Sequence, residues 1–148
     1  MKPKETEKNW PQYVVVVGCG RLGSHLASKL SQAGSNVVVI DCDESAFAHL
    51  APEFSGFCIS GDAVQVEVLQ KAKVSKADCL LAVTPDDNLN LMVAQVAHEV
   101  FAVPKVMARV SDTKRESVYR KFGIATVSPT RLAVDFFLGA FRKTEGNG

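Results

Sequence analysis

The stretch Tyr13 to Gly23 reads YVVVVGCGRLG, and it restricts the possible folds more than any other part of the chain. An unbroken β-branched run fits a strand covered on both faces, as in a parallel sheet. The glycines at 18, 20 and 23 match G-x-G-x-x-G. Alone that pattern is weak, but here it follows a strand and opens a helix, which is the context it requires. Gly18 allows the tight strand-to-helix turn, Gly20 lets backbone amides approach a pyrophosphate, and Gly23 lets the helix pack close to the sheet. The helix N-terminus then offers free N–H groups and a partial positive charge to phosphates.

The same cycle recurs along the chain. A helical pattern from Leu22 to Ala33 puts Leu22, Leu26, Ala27 and Leu30 on one stripe, and Gly34 ends it. Strands follow at Asn36–Ile40, Gly56–Ser60, Cys79–Val83, Val106–Val110 and Ala125–Val127. Helical segments lie between them at Ser45–Leu50, Val64–Ala72, Asp87–Phe101 and Thr113–Phe122. Val68 and Leu69 point inward on the second of these, and Leu91, Ala94, Val96 and Val100 are the apolar candidates of the third. Ser128 as N-cap and Pro129 in the first turn open a last helix that runs to Phe141. The alternation predicts an α/β, doubly wound domain with a mostly parallel six-stranded sheet and helices on both faces. Residues 1–12 read as a polar lead-in, 13–141 as the folded domain and 142–148 as a tail.

Size and charge exclude other classes. The 148 residues leave room for one domain, too few for a complete two-domain dehydrogenase. A net charge of +1 argues against a general nucleic-acid binder. No uncharged apolar run approaches the roughly 18 to 20 residues that span a bilayer, so direct membrane insertion is not expected. The N-terminal MKPKETEKNWPQ lacks the apolar core of a secretory signal. Residues 41–100 hold ten acids and three bases, whereas 101–148 hold nine bases and four acids. That asymmetry reads either as solvated faces of both signs or as a basic region facing an acidic partner surface. Cys19, Cys42, Cys58 and Cys79 form no CxxC pair and read as reduced and mostly buried. His25, His49 and His98 are scattered on helical segments, so no metal site is expected.

The candidate binding residues gather at the strand ends. Arg21 adds a guanidinium to the glycine loop, where it can meet phosphate oxygens. Asp41 closes the second strand, 18 residues after Gly23, where a carboxylate accepts from adenosine ribose hydroxyls and repels a 2′-phosphate. Cys42 and Asp43 follow it, and Asp43 either adds charge or caps the next helix. Gly61, Asp62 and Ala63 follow the third strand, with Asp62 able to accept from an adenine amino group and to cap the helix at Val64, two roles that are compatible. Thr84 ends the fourth strand and faces the same crevice, Asp86 or Asp87 caps the helix beyond it, and Asn90 reads as an exposed residue. Arg109 ends the fifth strand, where it can meet a phosphate, a carboxylate across an interface, or a surface partner. No Ser–Tyr–Lys cluster or His–Asp pair supplies the acid and base that hydride transfer needs. No catalytic residue is therefore assigned.

VVVVGCGRLGSHLASKLSQAGSNVVVIDCDE, the Gly61-Asp62-Ala63 triplet, LLAVTPDDNLN and VMARVSD together resemble the TrkA-N family, the nucleotide-binding half of RCK (KTN) domains. The resemblance runs from about Tyr13 to Phe141. It implies a Rossmann-fold regulatory domain that binds NAD(H), ATP, ADP or AMP and controls a potassium channel or transporter through a ligand-dependent dimer or ring. The implied nucleotide set is Gly18, Cys19, Gly20, Arg21, Leu22, Gly23, Asp41, Cys42, Asp43, Gly61, Asp62, Ala63, Thr84 and Arg109. The last helix resembles the element through which such domains cross over and dimerise, and Phe136, Phe137, Leu138 and Phe141 make it apolar enough. A cytoplasmic site at the inner face of a membrane, held there by a transporter partner, is implied as well. RCK domains usually continue into a smaller ligand-binding subdomain, whereas this chain stops at Gly148, which leaves a stand-alone module or a piece of a longer protein. The alternative reading is an NAD-dependent oxidoreductase fragment without its substrate domain.

Overall fold

The computed structural model describes residues 9–142. Most of the expected lead-in and tail lies outside them. The strands are β1 Tyr13–Val17, β2 Asn36–Asp41, β3 Phe57–Ser60, β4 Cys79–Ala82, β5 Lys105–Arg109 and β6 Ala125–Val127. The helices are α1 Arg21–Gln32, α2 Val66–Lys71, α3 Asp87–Glu99, α4 Glu116–Lys121 and α5 Pro129–Gly139. The sheet order is β3-β2-β1-β4-β5-β6, and every neighbouring pair is parallel. The chain winds outward from β1 in one direction and from β4 in the other. Between those two strands the order reverses, and ligands of such sheets bind in the crevice beyond the strand C-termini at that point.

The valine runs are explained by packing on both faces. Val15, Val17, Val38, Ile40, Leu80 and Ala82 meet Leu69 of α2 and Val93, Ala94 and Ala97 of α3. Val14, Val16, Val37 and Val39 meet Ala27 and Leu30 of α1 on the opposite face. Each fully buried valine contributes about 1.5–3 kcal/mol, and all four valines of β1 are buried.

The structure corrects several expectations. The helix expected from Val64 starts at Val66, because residues 62–65 form a turn closed by the Gln65 amide on the Asp62 carbonyl. The segment Glu44–His49 is a 3₁₀ turn, and Thr113–Arg115 is another that precedes α4. Val100 lies beyond the last turn of α3 and is 67% exposed, so the helical stripe does not reach it. Of the cysteines, only Cys19 and Cys79 are buried; Cys58 lies on edge strand β3, which has a neighbour on one side only, and Cys42 lies just past β2.

No residue of α5 is buried. Ser128 caps it by accepting the Arg131 amide at 3.2 Å, and Arg131 reaches the buried Glu116 of α4 at 3.0 Å. Leu132, Val134, Phe136, Phe137, Leu138 and Phe141 are all exposed.

Candidate functional site

The site begins where the glycine loop leaves β1. Gly18 sits at φ +107°, and a Cβ there would lie 3.0 Å from both the amide nitrogen and a methyl carbon of Thr84. Gly23 abuts the backbone so closely that a Cβ would fall 1.8 Å from the Gly18 carbonyl oxygen. Gly20 is different: nothing lies within 4 Å of the position a Cβ would take. Gly20 is also the N-cap of α1, where no side chain caps the helix and no acidic residue occupies the first turn. An uncapped helix start beside open space can receive an anion's oxygens.

Asp41 closes β2 beside this loop. Its Oδ2 accepts the Cys19 amide at 2.7 Å, and its Oδ1 accepts the Asp43 amide at 2.9 Å. The Cys19 thiol is pushed up to about 11, first by burial and then by the Asp41 charge, so it stays protonated and unreactive. Asp43 turns its own carboxylate to the Ser45 hydroxyl and amide, at 2.7 and 3.0 Å, and these bonds hold it below the usual carboxylate range. It caps the 3₁₀ turn and does not line the crevice.

The crevice itself is a cavity of about 460 Å³ across the C-terminal ends of β1, β2, β3 and β4. Of the expected residues, Gly18, Asp41, Cys42, Gly61, Asp62, Ala63 and Thr84 line it. Asp62 accepts the Val64 amide at 3.0 Å, as an Asx turn and not as the cap of α2, whose N-cap is Gln65. Gly61 is closely packed, since a Cβ there would come within 2.9 Å of a Val68 methyl, which would have to shift. Val17, Ile40, Pro85 and Leu89 supply apolar wall that the motifs did not single out, and Asp86 adds a third carboxylate. Their signal was present in the sequence only as positions flanking the strand ends.

Cys19, Gly20, Arg21, Leu22 and Gly23 form the adjoining loop and helix start and lie outside the cavity lining. Arg109 also lies outside it, at the end of β5, with its Nε buried and without a hydrogen-bond partner among the described residues.

Asn90 is fully buried, contrary to the exposed position expected for it. Its Oδ1 accepts the Thr84 amide at 2.9 Å and the Thr84 hydroxyl at 2.7 Å. Its Nδ2 donates to the Thr84 carbonyl at 2.8 Å and to the Arg109 carbonyl at 3.0 Å. The Thr84 hydroxyl in turn accepts the Asp86 amide at 3.1 Å and also lies 3.2 Å from the Asp86 carbonyl, a second acceptor for its proton. Asp86, not Asp87, caps α3, by accepting the Asn88 and Leu89 amides.

The TrkA-N domain family model matches residues 14–129. The Trk system potassium uptake protein TrkA of Streptomyces coelicolor is 40% identical over 126 residues, covering 85% of this chain and 56% of that protein. The TrkA homolog of Methanothermobacter thermautotrophicus is 35% identical over 125 residues, covering 84% and 57% respectively. This chain thus spans little more than half the length of the curated relatives it matches. Among solved structures, the TrkA-N domain of the Escherichia coli inner membrane protein ybaL aligns with a TM-score of 0.79 at 21% identity, covering 91% of this chain and 100% of that one. The Shewanella denitrificans Kef CTD in AMP-bound form aligns at 0.73 and 23% identity, covering 86% and 79%. The GsuK channel bound to NAD aligns at 0.73 and 21%, covering 86% and 22%. At these identities the structural likeness carries the fold alone.

Proposed function

The chain belongs to the TrkA-N domain family, and from that premise we propose that it is a regulatory nucleotide-binding domain of a potassium uptake system. The ligand is an adenine nucleotide: NAD(H), AMP, ADP or ATP. The observation that carries this reading is the junction of Asp41 with the glycine loop: a carboxylate on the crevice wall, beside an uncapped helix start with open space at Gly20. In this reading the ribose hydroxyls donate to Asp41 and the adenine lies along the wall of Ile40, Ala63 and Leu89. The phosphates meet the amides from Gly20 onward and the Arg21 guanidinium. Asp62 accepts from the adenine amino group, and Arg109 answers remaining phosphate charge.

The protein acts on its partner and does not catalyse a reaction. The names of the relatives, potassium uptake proteins, support this over the oxidoreductase reading. The partner is a membrane potassium transporter or channel subunit, which places this domain at the cytoplasmic face. A second copy binds through α5, whose exposed Phe136 and Phe137 leave apolar surface for a partner to cover. A nucleotide shifts the assembly only by its difference in affinity for the two arrangements.

Calorimetric titration with NAD, NADH, AMP, ADP and ATP tests the proposal. Saturable binding of at least one is expected, and binding of none contradicts it.

A further inference from the structure

We propose that Asn90 is a positioning residue that couples the crevice to the end of β5 and the loop beyond it. The inference rests on the nucleotide reading above. Thr84, Pro85 and Asp86 form one wall of the crevice, but they are loop residues past the end of β4 and have no strand neighbour to fix them. Asn90 supplies the missing bonds. One carboxamide oxygen holds the Thr84 amide and hydroxyl, while the amide nitrogen of the same group holds the carbonyls of Thr84 and Arg109. Asn90 is fully buried, and without it the Thr84 amide and the Thr84 and Arg109 carbonyls would lose these bonds, while the Thr84 hydroxyl would keep only Asp86. A planar carboxamide cannot move with Thr84 and leave Arg109 behind.

A second observation extends the coupling past β5. Asp87, three residues before Asn90 on α3, accepts the Ser111 amide at 2.8 Å and the Asp112 amide at 3.0 Å. Neither Ser111 nor Asp112 lines the crevice. The first turn of α3 therefore grips the crevice wall through Asn90 and the loop after β5 through Asp87. From that loop the chain passes to α4, whose Glu116 holds Arg131 at the start of α5. A ligand that pushes on the wall pushes on the segment that aims α5.

Backbone amide chemical shifts during titration with AMP and with NADH test this. In the unaltered protein Gly61 and Asp62 shift because they line the crevice, and Val110, Ser111 and Asp112 shift through the coupling. In Asn90→Ala, Gly61 and Asp62 still shift while the response of Val110 to Asp112 is lost. Asn90→Ser, which keeps a hydroxyl and leaves room for a water, gives the same split if the alanine variant does not fold. Equal shifts at Val110 to Asp112 in variant and unaltered protein overturn the coupling, as does their absence from the unaltered protein while Gly61 and Asp62 respond. No shift at Gly61 and Asp62 with either ligand overturns the nucleotide reading and this inference with it.

Discussion

Asp41 holds Cys19: the carboxylate at the end of β2 accepts the Cys19 amide at 2.7 Å, just past the point where the pairing of β1 with β2 ends at Val17 and Ile40. The bond fixes the glycine loop against the residue proposed to read the ribose. The two jobs are compatible, because a carboxylate offers about four acceptor positions and only two are used internally. Asp41→Ala should therefore weaken adenine-nucleotide binding by roughly 1–3 kcal/mol, the range for a lost charged hydrogen bond. It should also narrow the preference for NADH over NADPH, because the charge that repels a 2′-phosphate is gone. Calorimetry on both cofactors checks this, and unchanged affinity removes Asp41 from the site.

The three glycines of one motif should respond differently to substitution. Gly20→Val places its side chain in open space, so the fold should lose only about 1 kcal/mol, the scale of a poorer N-cap residue. Nucleotide binding should nonetheless be lost, since the branch fills the space proposed for phosphate. Gly23→Ala drives a methyl into the Gly18 carbonyl and should cost about 1–3 kcal/mol or more of stability. Denaturant melts beside calorimetry separate the two; a Gly20→Val protein that binds normally places the phosphates elsewhere.

Asp87 should make stability depend on pH. Desolvation pushes its carboxyl up, but the amides of Ser111 and Asp112 and the nearby Arg115 charge outweigh that and hold it below the usual range. A carboxyl lowered in the folded state stabilises above its unfolded value, about 3.9, and that contribution is lost as pH falls through the lower folded value. Asp87→Asn should be less stable than the unaltered protein near neutrality, and the difference should shrink below about pH 4. Urea melts from pH 7 to pH 3 measure it; a gap that grows toward acid would reverse the sign and refute the assignment.

Helix α5 should be the self-association surface. Phe136 and Phe137 are 81% and 70% exposed, and the described part of the chain covers neither. Phe136→Asp with Phe137→Asp should weaken the dimer at least tenfold, about 1.4 kcal/mol, while leaving the domain's melting temperature unchanged. Sedimentation velocity across a concentration series reads it. A monomer before substitution, or an unaltered dimer after it, would show that the partner docks elsewhere.

The parts legible in the sequence were those set by local patterns. YVVVV and NVVVI are apolar at every position because both faces of a central parallel strand are covered, and the glycine loop follows from its turn and packing demands. What sequence could not show depends on contacts between distant segments. Asn90 looked like an ordinary exposed polar residue, but its buried carboxamide bonds the backbone of Thr84, in the loop past β4, and of Arg109, at the end of β5, six and 19 residues away. The cysteines read as mostly buried, but Cys58 is exposed on edge strand β3, which has only β2 beside it. Aspartates 43 and 62 each had two readings, and the cap of the helix after β4 lay between Asp86 and Asp87. Geometry makes Asp43 a turn cap and Asp86 the cap of α3, and gives Asp62 an Asx turn on the crevice wall that is compatible with its reading as an adenine acceptor.

A crystal structure of the protein grown with AMP or NADH tests the central claim most directly. The account predicts both ribose hydroxyls within about 3.0 Å of the Asp41 carboxylate oxygens, with phosphate oxygens at the amides that start α1. Density for the nucleotide outside the crevice, or ribose hydroxyls turned away from Asp41, would contradict it.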